Sequence, residues 1–231
     1  MKKSPLKLKP TENQTFILAG SGDEGDLVRR LGLSHEEERR GDFRSACSER
    51  YEAFRLIVDA LPEDEAVELD RNHANTRAGL EIIYGSTIDN YLAGDFELAA
   101  AQAEMLLDCD PEDSMGATPT LALCYIALGE WDCFDDILPD IDDRSALHAL
   151  LEAWASFIRT GKADAQALAN LRRHRAVADE LRAADHPTDD AYLRDISSER
   201  PSQAALAREL WLRCEPVMML YPEFAEELKR L

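Results

Sequence analysis

Between Ala78 and Asp143 the chain contains no lysine, arginine or histidine. At the chain's average density, 26 Lys and Arg in 231 residues, about seven are expected in a stretch of that length. The same stretch holds sixteen carboxylates, from Glu81 to Asp143, in a chain of net charge −20. With a pI near 4.6, this field argues against unaided binding to nucleic acid or anionic membrane and favours a basic partner. Long apolar runs are missing too. Nowhere do eighteen apolar residues follow one another, so no transmembrane helix is expected. Lys2, Lys3, Lys7 and Lys9 superficially resemble the start of a secretion signal. The apolar run behind them, Phe16 to Ala19, is too short for a signal core. The five cysteines, Cys47, Cys109, Cys124, Cys133 and Cys214, are odd in number and form no Cys-x-x-Cys. They read as free thiols in a reducing, cytoplasmic compartment.

Motifs that carry chemistry fail on inspection. Gly20-Ser21-Gly22-Asp23-Glu24-Gly25 follows a brief strand, Thr15 to Ala19, with the glycine spacing of a dinucleotide loop. Such a loop brings backbone N–H groups against a pyrophosphate, which Asp23 and Glu24 would repel, and no further parallel strands follow. A glycine-rich turn is the simpler reading. Asp140-Ile141-Asp142-Asp143-Arg144-Ser145 has Arg144 and Ser145 where a calcium loop needs an oxygen ligand and a glycine. His35-Glu36-Glu37-Glu38-Arg39 lacks the second histidine of a zinc helix, and His73, His148, His174 and His186 are scattered. No catalytic, cofactor-binding or metal-binding residue is expected, and no cofactor.

Helical periodicity is what the chain does have. Ser34-His35-Glu36-Glu37 has the form of a capping box, so a helix is expected to begin at Ser34. After Gly41-Asp42, Phe43 to Leu61 carries Ala46, Tyr51, Phe54, Ile57, Val58 and Leu61 at the spacing of a buried stripe. From Thr76 to Leu92 a helix carries Leu80, Ile83, Tyr84, Ile88 and Tyr91. Gly94-Asp95 breaks it, and Phe96 to Cys109 follows with a small inner face of Ala99, Ala100 and Ala103. Asp110-Pro111 stops that helix. The pattern returns around Gly129, with Leu121, Ala122 and Tyr125 before it and Trp131 to Leu138 after it. It returns again around Gly161, with one long helix expected from Ala163 to Ala184. Pro201 opens a helix to Cys214, Pro216 is read as a breaker, and Tyr221-Pro222 introduces a last helix with Phe224, Leu228 and Leu231. Trp131, Trp154 and Trp211 sit among apolar residues and read as core.

The run Gly94-Asp95-Phe96-x-x-Ala99 … Leu106-Leu107-Asp108-x-Asp110-Pro111 resembles a tetratricopeptide repeat. The likeness extends over residues 76–165, although Phe134 and Gln166 stand where a small alanine is usual. It implies an all-α fold of antiparallel helix pairs stacked as a short right-handed array, similar to a bacterial group of helical-repeat proteins. The expected organisation is a flexible arm over 1–33 and a helical-repeat domain over 34–231. Its best repeats are 76–113, 114–143 and 144–184, with a helical C-terminal cap over 191–231.

A non-enzymatic protein-binding module is the expected function, its acidic surface holding a basic protein or peptide. The candidate contacts are Tyr84, Tyr91, Asp132, Asp135, Asp136, Asp140, Asp142 and Asp143. An immunity protein or antitoxin that offers carboxylates to a basic nuclease is the alternative, and an enzyme with a site assembled across helices is a third. The acidic block has two further accounts: a solvated surface, or neutralisation, in cis or between subunits, by the N-terminal lysines or by Arg172-Arg173-His174-Arg175.

Overall fold

Glycine punctuates the helices, and the computed structural model, which describes residues 5–62 and 65–229, reverses the chain at the expected ones. Gly41, Gly94, Gly129 and Gly161 all have φ between 73° and 81°, the left-handed region that ends a helix without a Cβ penalty. Around them lie α1 (Leu27–Arg39), α2 (Phe43–Val58), α3 (Ala74–Ala93), α4 (Phe96–Cys109), α5 (Thr118–Leu128), α6 (Trp131–Ile137), α7 (Ala146–Thr160) and α8 (Ala165–Arg173). Four shorter or later helices follow: α9 (Arg175–Leu181), α10 (Asp190–Ile196), α11 (Gln203–Met218) and α12 (Pro222–Leu228). Asp26, Asp42, Asp95, Ser145, Asp164, Asp189 and Ser202 each accept a backbone N–H in the first turn of the helix they precede. The chain is mostly helical, and none of the described helices is long and apolar enough to cross a membrane.

Two compact units divide the chain, Met1–Leu121 and Ala122–Leu231. In the first, α3 packs on α1, α2 and α4, and its buried residues, from Thr76 and Leu80 to Thr87 and Tyr91, lie on several faces. Buried Gln102 of α4 donates to Ser86 (3.1 Å) and accepts from Asn90 (3.0 Å), fixing α4 on α3.

In the described part of the expected arm, residues 5–33, the chain forms a hairpin and the start of α1. Within them, β1 (Leu6–Pro10) pairs antiparallel with β2 (Phe16–Gly20), Leu8 opposite Leu18, and Leu6 and Leu18 are buried. The hairpin is tied down by α3: Leu18 N–H donates to Thr76 Oγ1 (3.0 Å), and Asn75 Nδ2 donates to the Leu18 (2.9 Å) and Gly25 (3.1 Å) carbonyls. Asn75 Oδ1 in turn accepts from Leu27 N–H (2.7 Å). The other strand face pairs with Glu68 and Asp70, through Phe16 N–H to Glu68 O (2.8 Å) and Asp70 N–H to Phe16 O (2.7 Å). Lys2 and Lys3 lie outside the described residues.

The glycine-rich run has a packing explanation. A Cβ on Gly20 would lie 1.9 Å from the Gly25 carbonyl oxygen, and one on Gly25 would lie 2.3 Å from that of Pro5. Two glycines thus permit a backbone crossing at the base of the hairpin.

Other boundaries shift for local reasons. The first helix begins at Leu27, capped by Asp26 (3.0 Å to Arg29 N–H). Ser34 lies inside it, its hydroxyl donating to the Leu31 carbonyl (2.9 Å). The long helix over 163–184 is two, α8 and α9, joined at His174. Pro216 sits in the last turn of α11, where only the bond to the Leu212 carbonyl is forgone. In the second unit, Phe224 of α12 stacks on Trp154 of α7 (5.2 Å between centroids). Trp154 is fully buried, whereas Trp131 and Trp211 are half-buried. Leu231 lies outside the described residues.

Asn75 joins β2, α1 and α3 through three hydrogen bonds. We expect Asn75→Ala to lower stability by about 2–3 kcal/mol, because it strands partly buried backbone groups. Urea unfolding measures the loss, and faster hydrogen exchange at the Leu27 amide, ahead of α4 amides, locates it.

Candidate interaction surfaces

At least seven of the sixteen carboxylates in the acidic run are engaged as caps, turn acceptors or arginine partners. Asp95 caps α4, and Asp110 accepts from Ser114 N–H (2.9 Å) and from its hydroxyl. Asp113 accepts from the Ala117 (2.6 Å) and Thr118 (3.1 Å) amides, and Asp142 from the Arg144 amide (3.0 Å). These carboxylates take the place of backbone acceptors in the turns after α4 and after α6. Arginines from outside the run bind others: Arg71 meets Glu112 at 3.2 Å, and Arg159 meets Asp135 at 2.8 Å. The Arg159 guanidinium also lies 4.8 Å from the Trp131 ring centroid, clamping α6 to α7.

The deepest of these pairs is the Arg50 node. Arg50 of α2 is buried, and its guanidinium binds Asp89 of α3 through two bonds of 2.7 Å and Glu38 of α1 through a third. Gly85 makes room, since a Cβ there would stand 2.8 Å from Arg50 Cδ. Burial alone would lower the Arg50 pKa, but the hydrogen bonds and charges of Asp89 and Glu38 outweigh it and raise it. Burial first, and then Asp89, pushes the neighbouring Cys47 thiol up. Beside the node a recess of about 330 Å³ is lined by His35, Glu38, Glu81, Tyr84 and Asp89. With its donors already engaged, Arg50 is a strut between three helices.

The eight expected contacts therefore part company. Tyr84 is half-buried at the Arg50 recess. Tyr91 is a correction: it is 2% exposed and packed edge-on against Phe96 at 5.6 Å, so it belongs to the core. The spacing that aligns it with Tyr84 does not register that Phe96 closes over that end of α3. Asp135 is held by Arg159. Asp132, Asp136 and Asp140 are exposed at intervals of four along α6 and the turn after it, and Asp142 and Asp143 are exposed in the loop before α7.

A second surface, in the first unit, escapes a search for charge alone. On α2, Phe43 (65% exposed), Tyr51 (45%) and Val58 (42%) lie seven or eight residues apart, on one outward stripe. The stripe is about 22 Å long at the rise of an α-helix. At its end a groove of about 490 Å³ opens between α2 and α4, lined by Val58, Leu61, Val67 and Met105, with Glu65 and Asp108 at its rim. Along the outer face of α4, Glu97, Glu104 and Asp108 are exposed at intervals that keep them in one row. Tyr51 and Val58, expected on the buried stripe of α2, are thus exposed, while Ala46, Phe54 and Ile57 of that stripe are buried.

In the second unit the matching node is Glu180 of α9, buried between Arg208 of α11 (3.0 Å) and His186 (2.6 Å). The His186 ring stacks on Trp211 at 4.0 Å. Burial alone would raise the Glu180 carboxyl, but hydrogen bonds from Arg208 and His186 outweigh it and hold the pKa below the ordinary 4.5. Burial pushes the Cys214 thiol up to about 12, and burial with Asp108 and Asp110 does the same for Cys109, so neither is a thiolate near neutral pH. Among the described residues, no group of three or more His, Cys, Asp or Glu is placed to hold a metal ion. Comparison with protein-family models, with curated proteins and with solved structures finds no match.

Two predictions concern the nodes. Arg50→Met should cost about 3 kcal/mol, because it leaves Asp89 facing Glu38 without a counter-charge. Adding Asp89→Leu should recover most of that loss in urea midpoints. Glu180 has a depressed folded-state pKa, so its stabilisation is complete above about pH 4.5 and lost as pH falls below it. Glu180→Gln should accordingly flatten the stability profile below pH 4.5 relative to wild type. Thermal midpoints across pH 3–7 test the point.

Proposed function

We propose that the chain is a non-enzymatic protein-binding module, built on helix pairs of the tetratricopeptide kind, whose first unit holds a basic amphipathic helix. The observation that carries this reading is the α2 stripe and its groove beside the carboxylate row of α4. Three large apolar side chains left in water over about four helical turns are costly unless something covers them. A partner helix with its own apolar stripe fits that length, and lysines or arginines on its flank meet Glu97, Asp108 and Glu65. Carboxylates at the rim speed encounter and reject acidic competitors more than they add affinity. The reading also suits the acidic run as a whole: Asp132, Asp136, Asp140 and Asp143 are exposed on α6 and in the turn and loop after it. A cytoplasmic setting follows from the free thiols. Blocking a basic nuclease is the narrower version of the same chemistry.

An 18-residue synthetic helix, leucine-striped and lysine-flanked, provides the assay. It should bind the intact chain with an affinity that falls as salt rises from 50 to 300 mM. Phe43→Ser with Tyr51→Ser should weaken binding at least tenfold, and Glu97→Lys with Asp108→Lys should slow association several-fold at low salt. Binding that ignores both pairs of changes would remove this surface from the account.

A further inference from the structure

The second unit carries the opposite charge pattern at one place. His174 joins α8 to α9, and around it Arg172, Arg173 and Arg175 are exposed. Neither Arg172 nor Arg173 forms an ion pair among the described residues, a state they share with exposed Arg29, Arg39, Arg44, Arg55, Arg77, Arg194 and Arg200. What distinguishes this junction is three exposed arginines within four positions. Arg175 has a side chain 93% exposed and reaches only Asp179, at 3.9 Å. Asp179 is itself engaged by Arg182. Arg172 and Arg173 lie in the last turn of α8, where positive charge complements the negative end of the helix dipole. That does not explain Arg175, which sits at the N-terminal end of α9, where a cation is disfavoured.

Arg173 and Arg175 border a groove of about 660 Å³ between α7, α9 and α11, and Arg172 is the residue before them in the chain. Its floor is apolar: Leu147 from α7, Val177 from α9, and Leu206 and Leu210 from α11. Leu206 is 44% exposed. Along α11 the groove extends from Gln203 to Leu210, about 10 Å or two helical turns. That length takes two successive apolar side chains of a partner segment. Arg173 and Arg175 lie at its edge, with Asp179 the one carboxylate among its lining residues. Nucleic acid is a poor occupant, because the floor offers it nothing polar and the net charge of −20 repels it.

We propose that this groove is a docking site for an acidic amphipathic segment of a partner protein. Its apolar side chains rest on Leu147, Val177, Leu206 and Leu210, and its carboxylates meet Arg172, Arg173 and Arg175. Charge complementarity selects the occupant: bidentate guanidinium–carboxylate pairing is the strong form of this contact. A chain this acidic repels an acidic segment everywhere else on its surface, which confines the segment to this groove. The site is independent of the α2–α4 surface, lies in the other unit and takes a partner of opposite sign.

Fluorescence anisotropy on the intact chain tests it, with two labelled 16-residue synthetic helices sharing one leucine stripe. One carries glutamates beside the stripe, the other lysines. The glutamate helix should bind the wild type, and Arg172→Glu with Arg173→Glu and Arg175→Glu should weaken it at least tenfold without changing circular dichroism or Tm. Leu206→Asp should do the same. The arginine changes should not weaken the lysine helix, which reports on the other surface. The proposal fails if the glutamate helix does not bind, or if it binds the triple variant as tightly as wild type. It also fails if sedimentation shows a wild-type dimer that the triple variant abolishes, since the occupant is then a second copy of the chain.

Discussion

A twenty-residue helix enclosed on several sides has to let its neighbours come close, and α3 does so with glycines and small polar residues. At Gly79 a Cβ would stand 2.7 Å from Leu18 Cδ1 and 3.2 Å from Leu27 Cδ1, so β2 and α1 meet α3 there because no side chain intervenes. One and a half turns on, Gly85 passes the stem of Arg50. Before both, Asn75 and Thr76 present amide and hydroxyl groups to the backbone of β2 and of the segment leading into α1. A two-stranded hairpin is marginal by itself; here its outer strand is completed by side chains of a helix and by the extended residues around Leu69. Leu69 N–H reaches on to the Cys109 carbonyl at 2.8 Å, so the end of α4 joins the same arrangement. The geometry of the α2–α4 groove follows from this closeness, since α2 is held by Arg50 and α4 by Gln102, both against α3.

How far the sequence revealed this depends on the range of the interaction. Gly94, Gly129 and Gly161 were legible, because a left-handed residue after an apolar helix and before a second one is a local signal. The acid-rich turn Asp110 to Asp113 was legible for the same reason. The hairpin was only half legible: Thr15 to Ala19 reads as a strand, but what holds it is Thr76, 58 residues away. Ser34 shows the reverse error. Ser-His-Glu-Glu satisfies the pattern of a helix start, yet Asp26 opens the helix eight residues earlier, and nothing local to Ser34 records that. Tyr84 and Tyr91 share a helical face by spacing, while Phe96, outside that helix, decides that only one stays near solvent. Of the carboxylates, the sequence showed number and sign; it did not show that Asp89 and Asp135 are spoken for by arginines outside the run.

That division bears on how a chain of net charge −20 folds. Self-repulsion grows with every uncompensated carboxylate, so each one that is turned into a cap, a turn acceptor or a guanidinium partner removes a destabilising charge and adds a specific contact. Arg50 and Arg208 are the two places where this goes furthest. Arg50 gathers Glu38 and Asp89 from two other helices, and Arg208 holds Glu180 of α9 and the Pro187 carbonyl, one node within each unit, each shielded enough that the pairing is little screened. Asp110, Asp113 and Asp142 do the same with backbone amides. What is left exposed is then not a uniform acidic coat. It is a set of rows on the outer faces of α4 and α6, interrupted by apolar side chains on α2 and by three arginines at the α8–α9 junction. A coat that served only solubility would place arginines beside those rows, where mixed charge lowers the repulsion. Arg173 and Arg175 instead stand at the edge of an apolar groove floored by Leu147, Val177, Leu206 and Leu210.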